Sequence, residues 1–275
     1  MRIDTHQHFW KYSAKKYDWI DNRMDVIRRD FLPADLKPVL DKASVDGTIA
    51  VQARQSYEET DWLLKLAKKN EFINGVVGWV DLRSPDVESY LKRFASNSKL
   101  MGIRHVLQDE EDDLFMLRDD FLRGIALLEK YKLTYDILIY PRHLPVAVRL
   151  VDQFPKQAFV LDHLAKPFIR DGIMEPWKSE LEKLASFENV CCKVSGMVTE
   201  ADWTNWEPSH LKPYLDVVFE SFGEDRIMFG SDWPVCLLAA SYESVLNTLL
   251  TYLADKPETI VNKVMGLNGA RFYGL

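Results

Sequence analysis

Arg2-Ile3-Asp4-Thr5-His6-Gln7-His8 runs from an apolar start straight into a His-x-His pair. Side chains alternate faces along a β-strand, so His6 and His8 project to the same side. Two converging imidazoles can hold a metal, polarise a carbonyl or relay a proton. A lone His-x-His is equally at home as a polar strand end, so its meaning depends on the rest of the chain. No glycine-rich phosphate fingerprint follows this first strand. That weighs against a doubly wound, dinucleotide-binding sheet.

Beyond it the chain alternates. Apolar or β-branched runs predict strands over 3–6, 47–52, 75–80, 101–106, 134–139, 158–162, 190–194 and 226–229. Helical periodicity fills the intervals. Ser56 with Glu59 predicts a capping box for a helix carrying Leu63, Leu66 and Ala67. Ser84-Pro85 predicts an N-cap with proline at the first helical position, ahead of Val87, Leu91 and Phe94. Leu211, Leu215, Val218 and Phe219 form a later stripe, as do Leu246, Leu249, Leu250 and Leu253. Eight strands alternating with helices predict an α/β fold of the (β/α)8 TIM-barrel type, with residues 1–275 as a single domain. A doubly wound open sheet is the runner-up.

Composition narrows the function. The chain has 275 residues, 47% of them hydrophobic, enough for a large core, and a formal charge of −7. No basic patch invites nucleic acid or an anionic membrane. No apolar run is long enough to span a bilayer, and no signal peptide is expected. Cys191, Cys192 and Cys236 fit neither a disulfide framework nor a zinc-ligand spacing, which suits a reducing cytoplasm. No organic cofactor is expected. The oligomeric state stays open, a homo-oligomer included.

TIM barrels place their chemistry at the C-terminal ends of the strands. Taken strand by strand, those ends carry His6 and His8; Gln52 and Arg54; Trp79 and Asp81; Arg104 and His105; Tyr140 and His143; Asp162 and His163; Lys193 and Ser195; Ser231 and Asp232. Five of the six histidines therefore gather at one end, with His210 the exception.

Three motifs, Asp4-Thr5-His6-Gln7-His8-Phe9-Trp10, Asp162-His163-Leu164-Ala165-Lys166-Pro167 and Gly230-Ser231-Asp232-Trp233-Pro234, resemble those of the amidohydrolase superfamily. More narrowly, with Gly102-Ile103-Arg104-His105 and Lys193-Val194-Ser195-Gly196, they resemble its amidohydrolase-2 branch of lactone hydrolases, along the whole chain and in strand order. Tyr17-x-Trp19 resembles the sugar-lactone hydrolases within that branch. The resemblance implies that Asp232 is the general base for the attacking water, with His6, His8 and His163 around the lactone carbonyl or a bound metal. It implies substrate contacts from Arg104, His105, Tyr140, Trp79 and Gln52, with Arg104 favoured over His105 as the inward-facing member of that pair. His6, His8, His163 and Asp232 are also the ligand set for one zinc or other divalent ion. Arg104-His105 at strand four and Lys193 at strand seven speak against a binuclear centre. A metal-free lactonase remains open beside the mononuclear reading.

The implied activity is hydrolysis of a small-molecule sugar-acid lactone, of L-fucono- or L-rhamnonolactone type, to the aldonate. The alternatives are another reaction of the branch (aromatic-pathway lactone hydrolysis or non-oxidative decarboxylation) and a non-catalytic sugar-acid-binding barrel. Lys193 is expected in a buried ion pair with Asp4 or Asp162. Cys192 and Cys236 are expected to pack. Trp10, Trp79, Trp203 and Trp206 are candidates for sugar stacking, and the acidic run 109–113 for a solvated loop.

Overall fold

The computed structural model describes residues 1–275. Its strands are β1 (Ile3–Gln7), β2 (Gly47–Val51), β3 (Ile73–Gly78), β4 (Leu100–Val106), β5 (Thr134–Leu138), β6 (Phe159–Leu161), β7 (Val190–Val194) and β8 (Ile227–Phe229). All pair in parallel and in sequence order within one sheet. The end strands meet through a Gln7–Trp233 bridge, so the sheet curls into a nearly closed barrel. This is the expected TIM barrel.

The helices are α1 (Pro33–Ala43), α2 (Tyr57–Lys69), α3 (Val87–Ala95), α4 (Asp119–Leu128), α5 (Leu144–Gln153), α6 (Trp177–Ala185), α7 (Met197–Glu200), α8 (Pro208–Phe222), α9 (Tyr242–Tyr252), α10 (Glu258–Asn262) and α11 (Asn268–Tyr273). The long ones bury the stripes read from periodicity: Leu63 and Ala67, Leu91 and Phe94, Leu211 and Leu215, Leu246 and Leu249. Each leucine or phenylalanine so removed from water contributes roughly 1.5–3 kcal/mol.

Two helix starts differ from expectation. Ser56 Oγ accepts the Glu59 N–H at 3.1 Å, but the Glu59 carboxylate does not complete the box. It turns instead to the N–H groups of Ala53 and Arg54, at 3.0 and 2.7 Å. Those donors lie in the loop after β2, where no ladder partner exists for them, and they outbid the helix cap. The other start shifts: α3 begins at Val87 rather than Pro85. Ser84 closes a turn ahead of it, accepting the Asp86 N–H at its Oγ and the Val87 N–H at its carbonyl.

Inside the barrel, Ile49, Val51, Val77, Val160 and Met228 form an apolar floor, together with Tyr273 from α11. A charged layer lies against it. Lys193 Nζ sits 2.5 Å from Asp136 Oδ2 and 3.1 Å from Asp162 Oδ1, and Arg104 Nη1 sits 3.0 Å from Asp162 Oδ2. Tyr273 donates its hydroxyl to Asp136 at 3.0 Å. Lys193 thus pairs with Asp162, but its second partner is Asp136 and not Asp4. The Asp4 carboxylate is occupied by the Ser231 N–H and Oγ–H, at 2.9 and 2.6 Å. A register irregularity between Asp4 and Gln7 accompanies this arrangement in β1. Cys192 and Cys236 are buried and all three cysteines are free thiols. No helix is long and apolar enough to cross a membrane.

Candidate active site

The site forms where the barrel closes. Asp232 N–H donates to the His6 carbonyl at 2.8 Å, and His8 N–H donates to the Trp233 carbonyl at 2.7 Å. These two backbone bonds set the segment after β8 against the His-x-His pair at the end of β1. Three imidazole nitrogens then converge on one carboxylate oxygen. His8 Nε2 lies 3.3 Å from Asp232 Oδ1, His6 Nε2 3.8 Å and His163 Nε2 3.9 Å. All four side chains are buried. Asp162 Oδ1 lies 3.3 Å behind His6 Nδ1, and Arg104 Nη1 lies 3.2 Å from His6 Nε2.

His163 reaches the cluster through an unusual backbone. His163, Leu164, Ala165 and Lys166 all have φ between 52° and 57°, a left-handed turn containing no glycine. That geometry costs a non-glycine residue roughly 1–2 kcal/mol, and such strain persists only where surrounding contacts over-determine it. Trp177 supplies one of these, its fully buried indole N–H donating to the Leu164 carbonyl at 2.6 Å. Asp232 is left-handed too, at φ 56°.

Gly196 packs against the His163 ring. A Cβ there would fall 2.6 Å from His163 Nδ1, at a φ of +62° that also strains any side chain. Gly196→Ala should therefore tilt the imidazole, with kcat falling at least ~10-fold and thermal stability dropping too, because sub-ångström aim at the reacting centre is lost. Steady-state kinetics beside a thermal melt would show it. Wild-type kcat in a folded variant would mean that the ring tolerates displacement.

Electrostatics fixes the resting protonation. Burial pushes His163 down to about 4, despite the attraction of Asp232, so it is neutral near pH 7. Burial likewise holds His6 well below its ordinary value. For Asp232 burial works upward, but the surrounding His163, His8 and His6 imidazoles outweigh it, and the carboxyl lies below its usual range. It is ionised at neutral pH, the form a general base requires. His8 Nδ1 faces the Val51 carbonyl at 2.8 Å and must donate to it, because a carbonyl only accepts. His8 Nε2 then meets Asp232 Oδ1 as lone pair against lone pair, unless a proton, a cation or a water lies between them. Ser195 Oγ stands 2.8 Å from His163 Nδ1. A hydroxyl can donate or accept, so either His163 tautomer is served.

The cluster opens into a cavity of about 320 Å³. His8, His163, Arg104 and Asp232 line its base, with Val106, Gln108, Asp109, Leu138, Lys166 and Val235 above. Lys16, Asp18, Trp19, Ala53, Arg54 and Gln55 complete the wall.

Of the expected substrate contacts, Arg104 alone lines this cavity. His105 faces away from it, stacked on Phe115 at 4.9 Å and bonded to Glu110 at 2.6 Å, as strand alternation requires once Arg104 points inward. Trp79 follows His105 outward, its indole N–H 3.3 Å from His105 Nδ1. Gln52 is fully buried behind the wall. Its carbonyl accepts from the Arg104 guanidinium, and its amide donates to the Arg104 carbonyl at 3.3 Å. Tyr140 is half-buried outside the lining, its ring beneath Lys166 Nζ at 5.5 Å. Neither Trp10, Trp203 nor Trp206 lines the cavity; Trp19 is the tryptophan that does. The acidic run is largely exposed, as expected of a solvated loop, with two of its carboxylates engaged. Glu110 pairs with His105, and Asp113 with Arg142 and His143. Lys166 was legible inside its motif, whereas Lys16, Asp18, Gln55 and Gln108 carried no local signal.

The amidohydrolase family model matches residues 3–275. The chain belongs to the amidohydrolase family. Among this amidohydrolase's relatives, the L-fucono-1,5-lactonase of Burkholderia multivorans (strain ATCC 17616 / 249) is 40% identical over 286 residues, spanning 100% of this chain and 96% of the relative. A solved amidohydrolase from Burkholderia multivorans with bound zinc is 41% identical, with a TM-score of 0.96 over 100% of this chain and 99% of the other. The 2,6-dihydroxybenzoate decarboxylase from Rhizobium shares the fold at 13% identity, with a TM-score of 0.73 over 99% of this chain and 98% of its own.

The donors of this amidohydrolase suit a divalent metal. His6, His8 and Asp232 bring their ligand atoms within 4.8 Å of one another. The tautomer that Val51 imposes leaves the His8 Nε2 lone pair free, and Ser195 can leave the same on His163.

Proposed function

We propose that this amidohydrolase opens a sugar-acid lactone, of L-fucono-1,5-lactone type, to its aldonate. The observation that carries the reading is Asp232, an ionised carboxylate at the base of a polar cavity with three imidazoles against it. The likeness to the Burkholderia lactonase supplies the substrate class. Water on Asp232 gives up a proton as its oxygen adds to the lactone carbonyl carbon. His163 Nε2–H, in the tautomer with Ser195 donating to Nδ1, and the Arg104 guanidinium stabilise the oxyanion. As the tetrahedral intermediate collapses, the ring C–O bond breaks and the ring oxygen takes the proton held at Asp232, with His8 placed to relay it. The new carboxylic acid then ionises, releasing one proton per turnover to solvent.

His6, His8 and Asp232, with or without His163, would hold a zinc ion, which would supply Lewis-acid polarisation of the carbonyl and a more acidic water. Arg104 places a permanent cation 3.2 Å from His6 Nε2, so part of the charge stabilisation is on hand without a metal. Chelator treatment should therefore leave most lactonase activity intact. Activity strictly proportional to metal content would overturn that expectation.

The test of the function is a pH-indicator screen over 1,4- and 1,5-aldonolactones and pyrone lactones, with sugar-acid lactones expected to react fastest. Against pH, activity should hold through the neutral range and fall only as pH drops toward about 4, where His163 protonates. A midpoint near the ordinary histidine value would contradict the burial that lowers it. The buried free thiols fit a cytoplasmic setting.

A further inference from the structure

We propose that Glu59 is a positioning residue that locks two loops of the cavity wall into one sugar-reading surface. The substrate side of this inference rests on the lactonase reading; the lock rests on geometry.

Glu59 lies in the first turn of α2, 4% exposed and outside the cavity. Its Oε1 accepts the Tyr17 hydroxyl at 3.1 Å. Its Oε2 accepts the N–H groups of Ala53 and Arg54, at 3.0 and 2.7 Å. Tyr17 belongs to the segment whose Lys16, Asp18 and Trp19 line the cavity, while Ala53, Arg54 and Gln55 line it from the loop after β2. One carboxylate therefore takes donors from both loops. A second tie runs beside it, from the Trp19 indole N–H to the Ala53 carbonyl at 3.2 Å.

Neither segment belongs to a helix or a strand, so each relies on such contacts for its shape. Burial pushes the Glu59 carboxyl up to about 7, as befits a group cut off from water whose partners are these few donors. Side chains on the two loops offer an ammonium, a guanidinium, a carboxylate and an amide around an indole, a set suited to ring hydroxyls over an apolar sugar face. Asp232 and the three histidines are fixed separately, by the closure of the barrel and the left-handed turn. The lock should consequently govern binding of a polyhydroxylated lactone and leave the chemical step alone.

Three variants of the intact protein test this. Glu59→Ala removes the lock. Tyr17→Phe cuts the hydroxyl tie alone, and so keeps the proposal falsifiable should Glu59→Ala fail to fold. Glu59→Gln retains an acceptor for the two N–H groups and an amide for the Tyr17 oxygen, and should rescue. With L-fucono-1,5-lactone, Glu59→Ala should raise KM at least ~10-fold with kcat within ~3-fold, as expected for loss of uniform binding. Tyr17→Phe should move KM the same way by less. Amide hydrogen exchange gives a readout independent of turnover: Tyr17→Phe should speed exchange at residues 53–55 as well as at 16–19. Exchange confined to the mutated loop, or a kcat loss at unchanged KM, would overturn the proposal. A wild-type protein that opens no sugar lactone would sink the function reading instead, and the exchange experiment would still decide the lock.

Discussion

Asp232→Asn should lose at least ~10²-fold in kcat with a much smaller change in KM. The amide is nearly isosteric and fits the same left-handed backbone, for which asparagine is among the best-tolerated residues. It cannot accept the proton of an attacking water. Binding of the lactone, which we assign to Arg104 and the two loops of the cavity wall, should survive. The three imidazoles around Asp232 sharpen the prediction. Burial penalises the imidazolium that His163 or His6 would become on taking the proton, so either would be a poorer base than the carboxylate that also organises the cluster. The measurement is steady-state kinetics on the best lactone from the screen, with binding of the aldonate as a check that the site is intact. Turnover near wild type would move the base elsewhere, with His163 first in line.

Lys193→Met should be the most destabilising single change of those considered. The lysine is fully buried between Asp136 and Asp162, and methionine keeps the length of the side chain without its charge. Removing one partner of a buried ion pair costs about 3–5 kcal/mol, because the remaining charge stays desolvated and unpaired. For a chain of this size that corresponds to a fall in Tm of roughly 10 °C. The sign of its pH dependence follows from Asp136. Burial already raises that carboxyl to about 6 against the pull of Lys193. Without the lysine it rises further, so the folded state binds a proton that the unfolded chain has lost. Stability of the variant relative to wild type should therefore improve as pH falls and worsen as pH rises through neutrality. Adding Asp136→Asn should recover part of the loss. A deficit below about 1 kcal/mol at pH 8 would show that water reaches this layer.

The barrel was legible because its signals are local. Apolar runs separated by helical stripes such as Leu211, Leu215 and Val218 dictate which segments pair and which pack, whatever lies far along the chain. The reactive cluster was legible for a related reason. His6 and His8 share a strand face, while His163 and Asp232 close their own strands, and the barrel rule gathers strand ends at one mouth. Facing was harder. Arg104 and His105 differ by one residue, so one of them had to turn outward, and Phe115 and Glu110 receive His105 from segments that the strand itself does not reveal.

The substrate wall was the least legible part. Glu59 read as a helix cap because Ser56 stands three residues before it. In the folded chain, loop N–H groups and a tyrosine hydroxyl 42 residues away offer it better donors. Lys16, Asp18 and Gln55 are ordinary polar residues until the loops carrying them are brought over the barrel mouth.

The sequence by itself determined the eight-fold alternation of strand and helix, the end of the barrel at which the histidines gather, and the four residues that meet there. Those follow from periodicity and from side-chain types, which act at short range. Only the tertiary structure decided that Lys193 pairs with Asp136, that Arg104 rather than His105 looks inward, that a left-handed turn aims His163, and that Glu59 ties two loops together. Each of these depends on which buried donor finds which acceptor across distant segments, and a polar group withdrawn from water must find a partner wherever the fold supplies one.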